Sequence, residues 1–131
     1  MTLAAIDLWH EYFGTHDYDR LSAMLHPDVV FESPVVHTPQ RGRDITLKYL
    51  IAADQILFND SFKYVGEWRS ADGAVLEFVT EVDGMIVNGV DMITTTPDGA
   101  LITGFKVMLR PLKAINAVHQ KMGEQLARPA G

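Results

Sequence analysis

The chain has no cysteine among its 131 residues. Disulfide frameworks and thiolate chemistry are therefore excluded, and a reducing cytoplasm suits the chain without being required by it. No apolar run approaches membrane-spanning length. The N-terminal stretch "MTLAAIDLWHEYFGTHDYDR" meets Asp7 and Glu11 too early for a signal peptide's apolar segment. A cytoplasmic protein without membrane partners is expected. Positive charge is also scarce. Eleven Lys and Arg face seventeen Asp and Glu, a net charge of −6, with no basic cluster, which argues against nucleic acid as a partner. The histidines show no HxH or HExxH spacing, so a bound metal is not expected. No phosphate-binding Gly loop or nucleophile elbow is present, and no cofactor is expected.

What is present is ordinary globular composition, 47% hydrophobic and 21% charged, in a length that fits one domain over residues 1–131 with a real core. Residues 3–14 carry Leu3, Ile6, Leu8, Trp9, Tyr12 and Phe13 at helical spacing, with Thr2 as cap and Gly14 as stop. "DYDRLSAMLHPD" predicts a second short helix ended by Pro27. "VVFES" predicts a strand and "PVVHTPQRGR" a loop. "DITLKYLIAADQILF" predicts a third helix capped by Asp44. After Asn59 the pattern changes to period two, giving strands over 61–70, 74–82, 85–96 and 100–110. Their connections contain "ADGA", "VDGM" and "PDGA", and Asp-Gly between apolar runs is a strong hairpin signal. Pro111 then opens a closing helix with a stripe of Leu112, Ile115, Val118, Met122 and Leu126. Helices segregated from an antiparallel sheet mean α+β. A strongly curved sheet wrapping a helix leaves a concave face, where a pocket belongs.

One acid interrupts the third of these strands: Asp91, between Val90 and Met92. Its direction depends on the preceding turn. A three-residue loop at Val82-Asp83-Gly84 pairs Val75 with Asp91 and puts Glu77 on the same face. A two-residue turn at Asp83-Gly84 pairs Leu76 with Asp91 and sends Glu77 to the other face. The sequence does not choose, but the likeness of the three turns favours the bulged loop. That register also pairs Asp91 with Phe105. Two carboxylates on a concave apolar face would titrate as a coupled pair, one neutral and one charged at pH 7, suited to acid and base roles. The bland alternative leaves them in water or tied to Arg69 and Lys106. The bulged register places Phe62, Tyr64, Trp68, Phe78, Met92 and Met108 on the opposite, outer face. So much exposed apolar area predicts a homodimer through that face.

His37, in the loop "SPVVHTPQ", is either a proton shuttle at a pocket rim or an exposed loop residue. Trp9 and Tyr12 either line a cavity or pack in the core. Asn88 is a pocket donor or an exposed strand residue, by register. Gly66, Gly89 and Gly104 mark bends in the sheet or places where a ligand comes close.

Three stretches carry a resemblance: "HDYDRLSAMLHPDVVFESPV", "TPQRGRDITLKYL" and "VDMITTTPDGALITGFKVMLRPLKAI". In order and spacing they resemble the nuclear transport factor 2-like superfamily, which includes ketosteroid isomerases, SnoaL-like cyclases and limonene-epoxide hydrolases. The resemblance implies a cone-shaped curved antiparallel sheet around N-terminal helices, a cystatin-like arrangement, with a C-terminal helix. It also implies roles. The isomerases' protonated oxyanion-hole Asp matches Asp91 by its spacing to Gly99. Their partner Tyr falls at Trp9 and their base Asp at Ser33, so both are changed. The epoxide hydrolases' Asp-Arg-Asp set falls near Glu77 and at Arg110, so it is broken. A SnoaL-like pocket acid at Asp91 is the least contradicted role.

The reading is a pocket for a small hydrophobic ligand. Asp91, with Glu77 or His37, would act on a hydrophobic carbonyl, polyketide-like or terpenoid compound. Trp9, Tyr12, Ser33, Asn88 and Phe105 are the expected ligand contacts. A non-catalytic carrier of a small apolar ligand and a protein-interaction module are the competing readings.

Overall fold

The computed structural model describes residues 3–127. Its elements are α1 (Ala4–Tyr12), α2 (Tyr18–Ala23), β1 (Leu25–Glu32), β2 (Gln40–Arg41), α3 (Arg43–Ile56), β3 (Lys63–Ser70), β4 (Gly73–Val82), β5 (Met85–Thr95), β6 (Ile102–Arg110) and α4 (Leu112–Leu126). The strands form one curved six-stranded sheet in the order β2-β1-β6-β5-β4-β3. Only β1 and β6 pair in parallel. The α+β architecture, with helices on the concave side and a closing helix, is the one expected.

Helix boundaries follow local chemistry. On α1, Ile6, Trp9 and Tyr12 recur every three residues and all are fully buried. Gly14, at φ 82, then turns the chain away. Thr2, the expected cap, lies outside the described residues. Asp17 caps α2 by accepting the Arg20 N–H at 3.1 Å. This helix stops at Ala23, not at Pro27. Pro27 sits inside β1, where the register to β6 slips between Leu25 and Val30, so its missing N–H interrupts no ladder bond. The loop after β1 contains the short strand β2, which pairs Val30 with Arg41. Gly42 occupies the start of α3 instead of Asp44. Asp44 lies in the first turn, where a negative charge suits the helix's positive end.

The decisive turn joins β4 to β5. It is the two-residue form: Val82 pairs with Met85, and Asp83 and Gly84 take φ of 52 and 77. Two consecutive positive φ values make a type I′ turn, whose twist matches the strands it joins. The preferred bulged loop is thus overturned. Asp91 pairs with Leu76 and, across the other edge, with Val107 and not Phe105. A bulge between Tyr64 and Gly66 flips the parity of β3 as well. Phe62, Tyr64 and Phe78 therefore belong to the inner cluster and not to the outer face. Each large apolar side chain fully buried there stabilises by roughly 1.5–3 kcal/mol. Trp68 and Met108 do stay outside, at 59% and 49% exposure. A second, smaller cluster joins Val82 and Val87 of the sheet to Ala53, Leu57, Ala114 and Val118 beneath α4.

Candidate functional site

The concave face carries one buried carboxylate. Alternation along β5 turns Val87, Gly89, Asp91 and Ile93 inward, and Asp91 keeps 3% of its surface. Its Oδ2 accepts a hydrogen bond from the Tyr64 hydroxyl at 2.8 Å. The same hydroxyl accepts from Trp9 Nε1 at 2.8 Å. The chain Trp9–Tyr64–Asp91 thus runs from α1 through β3 to β5. Oδ1 has no hydrogen-bond partner among the described residues, yet it is not one of the sealed, unpartnered atoms, which are Tyr12 Oη, Thr46 Oγ1 and Asp54 Oδ1.

Burial raises the Asp91 carboxyl from its ordinary 3.8 to about 7, with the Tyr64 hydrogen bond pulling the other way. Burial also holds the Tyr64 phenol well above its usual range, helped by the Asp91 charge. Near neutral pH, Asp91 is poised between an acid and a base.

Glu77 is not its partner. It pairs with Val90 on the outward parity of the sheet and accepts from Asn88 Nδ2 at 3.1 Å. Asn88 also donates to the Phe78 carbonyl at 2.9 Å, so both sit on the outer face. Neither Arg69 nor Lys106 holds Glu77. Arg69 pairs with Glu67 and Asp7, and Lys106 lies 3.5 Å from Glu32. His37 is exposed and borders a surface groove with Lys106 and Met108, away from Asp91. Tyr12 is fully buried, but beside Asp54. Burial first, and then the Asp54 charge, push its phenol up. Phe105, 2% exposed, packs edge-on to Trp9 with ring centres 5.1 Å apart.

The cavity lies next door. It measures about 240 Å³ and is lined by Phe31 on β1, Ser33 just after it, Tyr49 on α3, Val107 on β6, and His119 and Met122 on α4. Asp91 does not line it. Val107 stands in its wall and is the cross-strand partner of Asp91. So of the expected ligand contacts, Ser33 lines the cavity and Trp9 reaches the carboxylate through Tyr64, while Tyr12, Asn88 and Phe105 do not line the cavity; the expected acid–base partners Glu77 and His37 do not line it either.

Period two assigns Tyr64 to the outer face and so leaves it out of the expected site residues. Gly66, two residues on, was the signal of a bulge. Among the described residues no cluster of His, Asp and Glu side chains could hold a metal ion, and no helix is long and apolar enough to cross a membrane.

A family model for the SnoaL-like domain matches residues 6–108. The chain belongs to the SnoaL-like family. Among solved structures it is similar to a steroid delta-isomerase from Pseudomonas aeruginosa, at 35% identity and a TM-score of 0.88, covering 95% of this chain and 90% of that one. It is also similar to an uncharacterised conserved bacterial protein with a cystatin-like fold from Silicibacter pomeroyi. That match has 29% identity and a TM-score of 0.84, with 92% and 84% covered. A nuclear transport factor 2-like protein from Cytophaga hutchinsonii, at 14% identity and a TM-score of 0.65 over 88% and 96% of the chains, shares the fold. No curated protein sequence matches. In this SnoaL-like chain the matched region includes the whole Trp9–Tyr64–Asp91 chain and stops before α4.

Proposed function

We propose that this SnoaL-like chain binds a small apolar carbonyl compound and isomerises or cyclises it by cofactor-free acid–base chemistry at Asp91. One observation carries the proposal: an inward carboxylate with an ionisation near 7, one oxygen held by Tyr64 and the other without a partner among the described residues. As carboxylate, Asp91 takes a proton from the carbon beside the carbonyl. As acid, it returns that proton to a second carbon, so the cycle needs no outside acid. A positioned group of this kind contributes roughly 10²–10⁴-fold. Tyr64 positions the carboxylate, and Trp9 holds the Tyr64 hydroxyl. Substrate would reach Asp91 from the cavity past Val107. The likeness to a steroid delta-isomerase supports the reaction class, while Trp9 and Ser33, in place of that chemistry's usual Tyr and Asp, point away from the steroid itself.

The test is turnover of one- and two-ring unsaturated ketones. Asp91→Asn is expected to lower kcat at least 100-fold with little change in KM. Turnover equal to wild type removes Asp91 from the mechanism. A second reading, a non-catalytic binder, draws on the absence of Asp91 from the cavity wall. It is favoured if ligands raise the melting temperature and are recovered unchanged.

We also propose a homodimer across the outer sheet face, where Trp68, Ile86 and Met108 are exposed at 59%, 60% and 49%. Light scattering that shows a monomer at high concentration would leave that face to a different protein. A cytoplasmic location is proposed from the lack of cysteine.

A further inference from the structure

The cavity's far wall is α4, which lies beyond the family match at residue 108. Val118 and Met122 supply its apolar surface, and His119 sits between them at the cavity rim. Gly123 lies one turn after His119, and a Cβ built there would meet nothing within 4 Å. Glycine is a poor helix residue. Here it stands exposed at the rim of the cavity, where a larger side chain would meet open space and could crowd the mouth.

The polar groups around the same cavity have spare hydrogen-bonding capacity. Ser33 Oγ accepts from the Val35 and Val36 N–H groups at 3.2 and 2.9 Å, and its own proton goes to no described residue. Tyr49 and His119 also line the cavity, and their side chains make no hydrogen bond to any described residue. A cavity that is mostly apolar with a few convergent polar groups is the usual form of a small-molecule site. At about 240 Å³ it falls below the roughly 300–1,000 Å³ of drug-sized sites, which restricts the occupant to one or two rings.

We propose that α4 is the recognition wall of this site. The ligand is a one- or two-ring apolar compound with a single hydroxyl or carbonyl oxygen, held by Ser33 and His119, and Gly123 sets the room for its rings. This deepens the reading of a small-molecule pocket and rests on it, but not on Asp91 being the catalyst.

Naphthalene and 2-naphthol are suitable probes, since they differ by one hydroxyl. In fluorescence titrations of the full chain both are expected to bind saturably, 2-naphthol about 5- to 10-fold more tightly, the worth of roughly one net hydrogen bond. The double variant Ser33→Ala/His119→Ala should erase that preference and leave naphthalene affinity unchanged. Gly123→Leu should weaken both probes at least 10-fold with an equal or higher melting temperature, because Leu favours the helix. Absence of saturable binding in wild type, or undiminished binding in folded Gly123→Leu, overturns the assignment of the cavity. A preference for 2-naphthol that survives the double variant overturns the roles of Ser33 and His119. Ketone turnover by Asp91→Asn, measured alongside, separates the two proposals. Its loss with probe binding indifferent to α4 sinks only the recognition wall, and its retention with probe binding sensitive to α4 sinks only the catalytic reading.

Discussion

Two aspartates lie inside this chain. Asp54, on α3, keeps 2% of its surface, and Asp91, on β5, keeps 3%. Their surroundings differ in the supply of donors. Asp54 Oδ2 receives His16 Nδ1–H at 2.6 Å and the Tyr18 hydroxyl at 2.8 Å. The Tyr12 phenol also feels its charge. These groups come from the end of α1, the turn after it and the start of α2, so Asp54 fastens that corner to α3. His16 accepts a φ of 56 to reach it, an uncommon conformation for a residue with a side chain. Gln55 braces the Tyr18 hydroxyl from the same helix at 2.7 Å. Asp91 receives Tyr64 alone. At equal depth, two donors from neighbouring elements make Asp54 an anchor, whereas Asp91 has one donor and its carboxyl is raised by burial.

The largest effect separating the two should come from removing the anchor. Asp54→Ala strips His16 and Tyr18 of their shared acceptor; His16 is itself 57% exposed and can turn to water, so the expected cost is that of the lost hydrogen bonds to a buried carboxylate, roughly 2–4 kcal/mol. Urea unfolding is expected to show that loss as a lower midpoint with an unchanged slope. A cost below about 1 kcal/mol would mean that the corner holds by packing alone.

Asp91 should behave in the opposite sense. Its folded ionisation, about 7 against an ordinary 3.8, means that the folded state binds the extra proton between those values. Its contribution is therefore fully present below about pH 4 and is lost as pH rises to about 7. A shift of that size corresponds to roughly 4 kcal/mol. Asp91→Asn cannot ionise, so its stability should lack this slope, and it should exceed wild type at pH 8. Parallel stability–pH curves for the two proteins would mean that Asp91 takes up no extra proton on folding.

The smallest effect belongs to the sole donor. Tyr64→Phe should raise the Asp91 ionisation further, since that hydrogen bond is the one influence lowering it. It should cost about 1–2 kcal/mol for the lost bond and the stranded Trp9 N–H. Carboxyl NMR titration reads the shift directly. Glu77→Gln, on the outer face, should leave the Asp91 titration where it is. A shift in that variant would reconnect the two faces.

Much of the fold was legible. The switch from helical spacing to period two at Asn59 and the Asp-Gly turns mark the meander, because each is a local preference that tertiary packing reinforces. The candidate site was legible only at Asp91, an acid in an apolar strand. Its partner was hidden by the β3 bulge, which inserts one residue and reverses every side chain beyond it. Asp54 was hidden for another reason. It shares an α3 face with Leu50 and Leu57, and pattern reasoning treats a lone acid on such a face as the helix's wet edge. Only the positions of His16 and Tyr18, brought across from the turn after α1 and the start of α2, make its burial tolerable.

The amino-acid order by itself determined the class of the fold, the sequence of its elements and the presence of one misplaced acid, since these depend on periodicity and turn chemistry within a few residues. The tertiary structure alone decided which residues meet that acid, that Glu77 turns away from it, and that the cavity opens beside it against α4. Those outcomes depend on strand register, a property of pairs of segments, where a one-residue slip moves every side chain to the other face at little local cost.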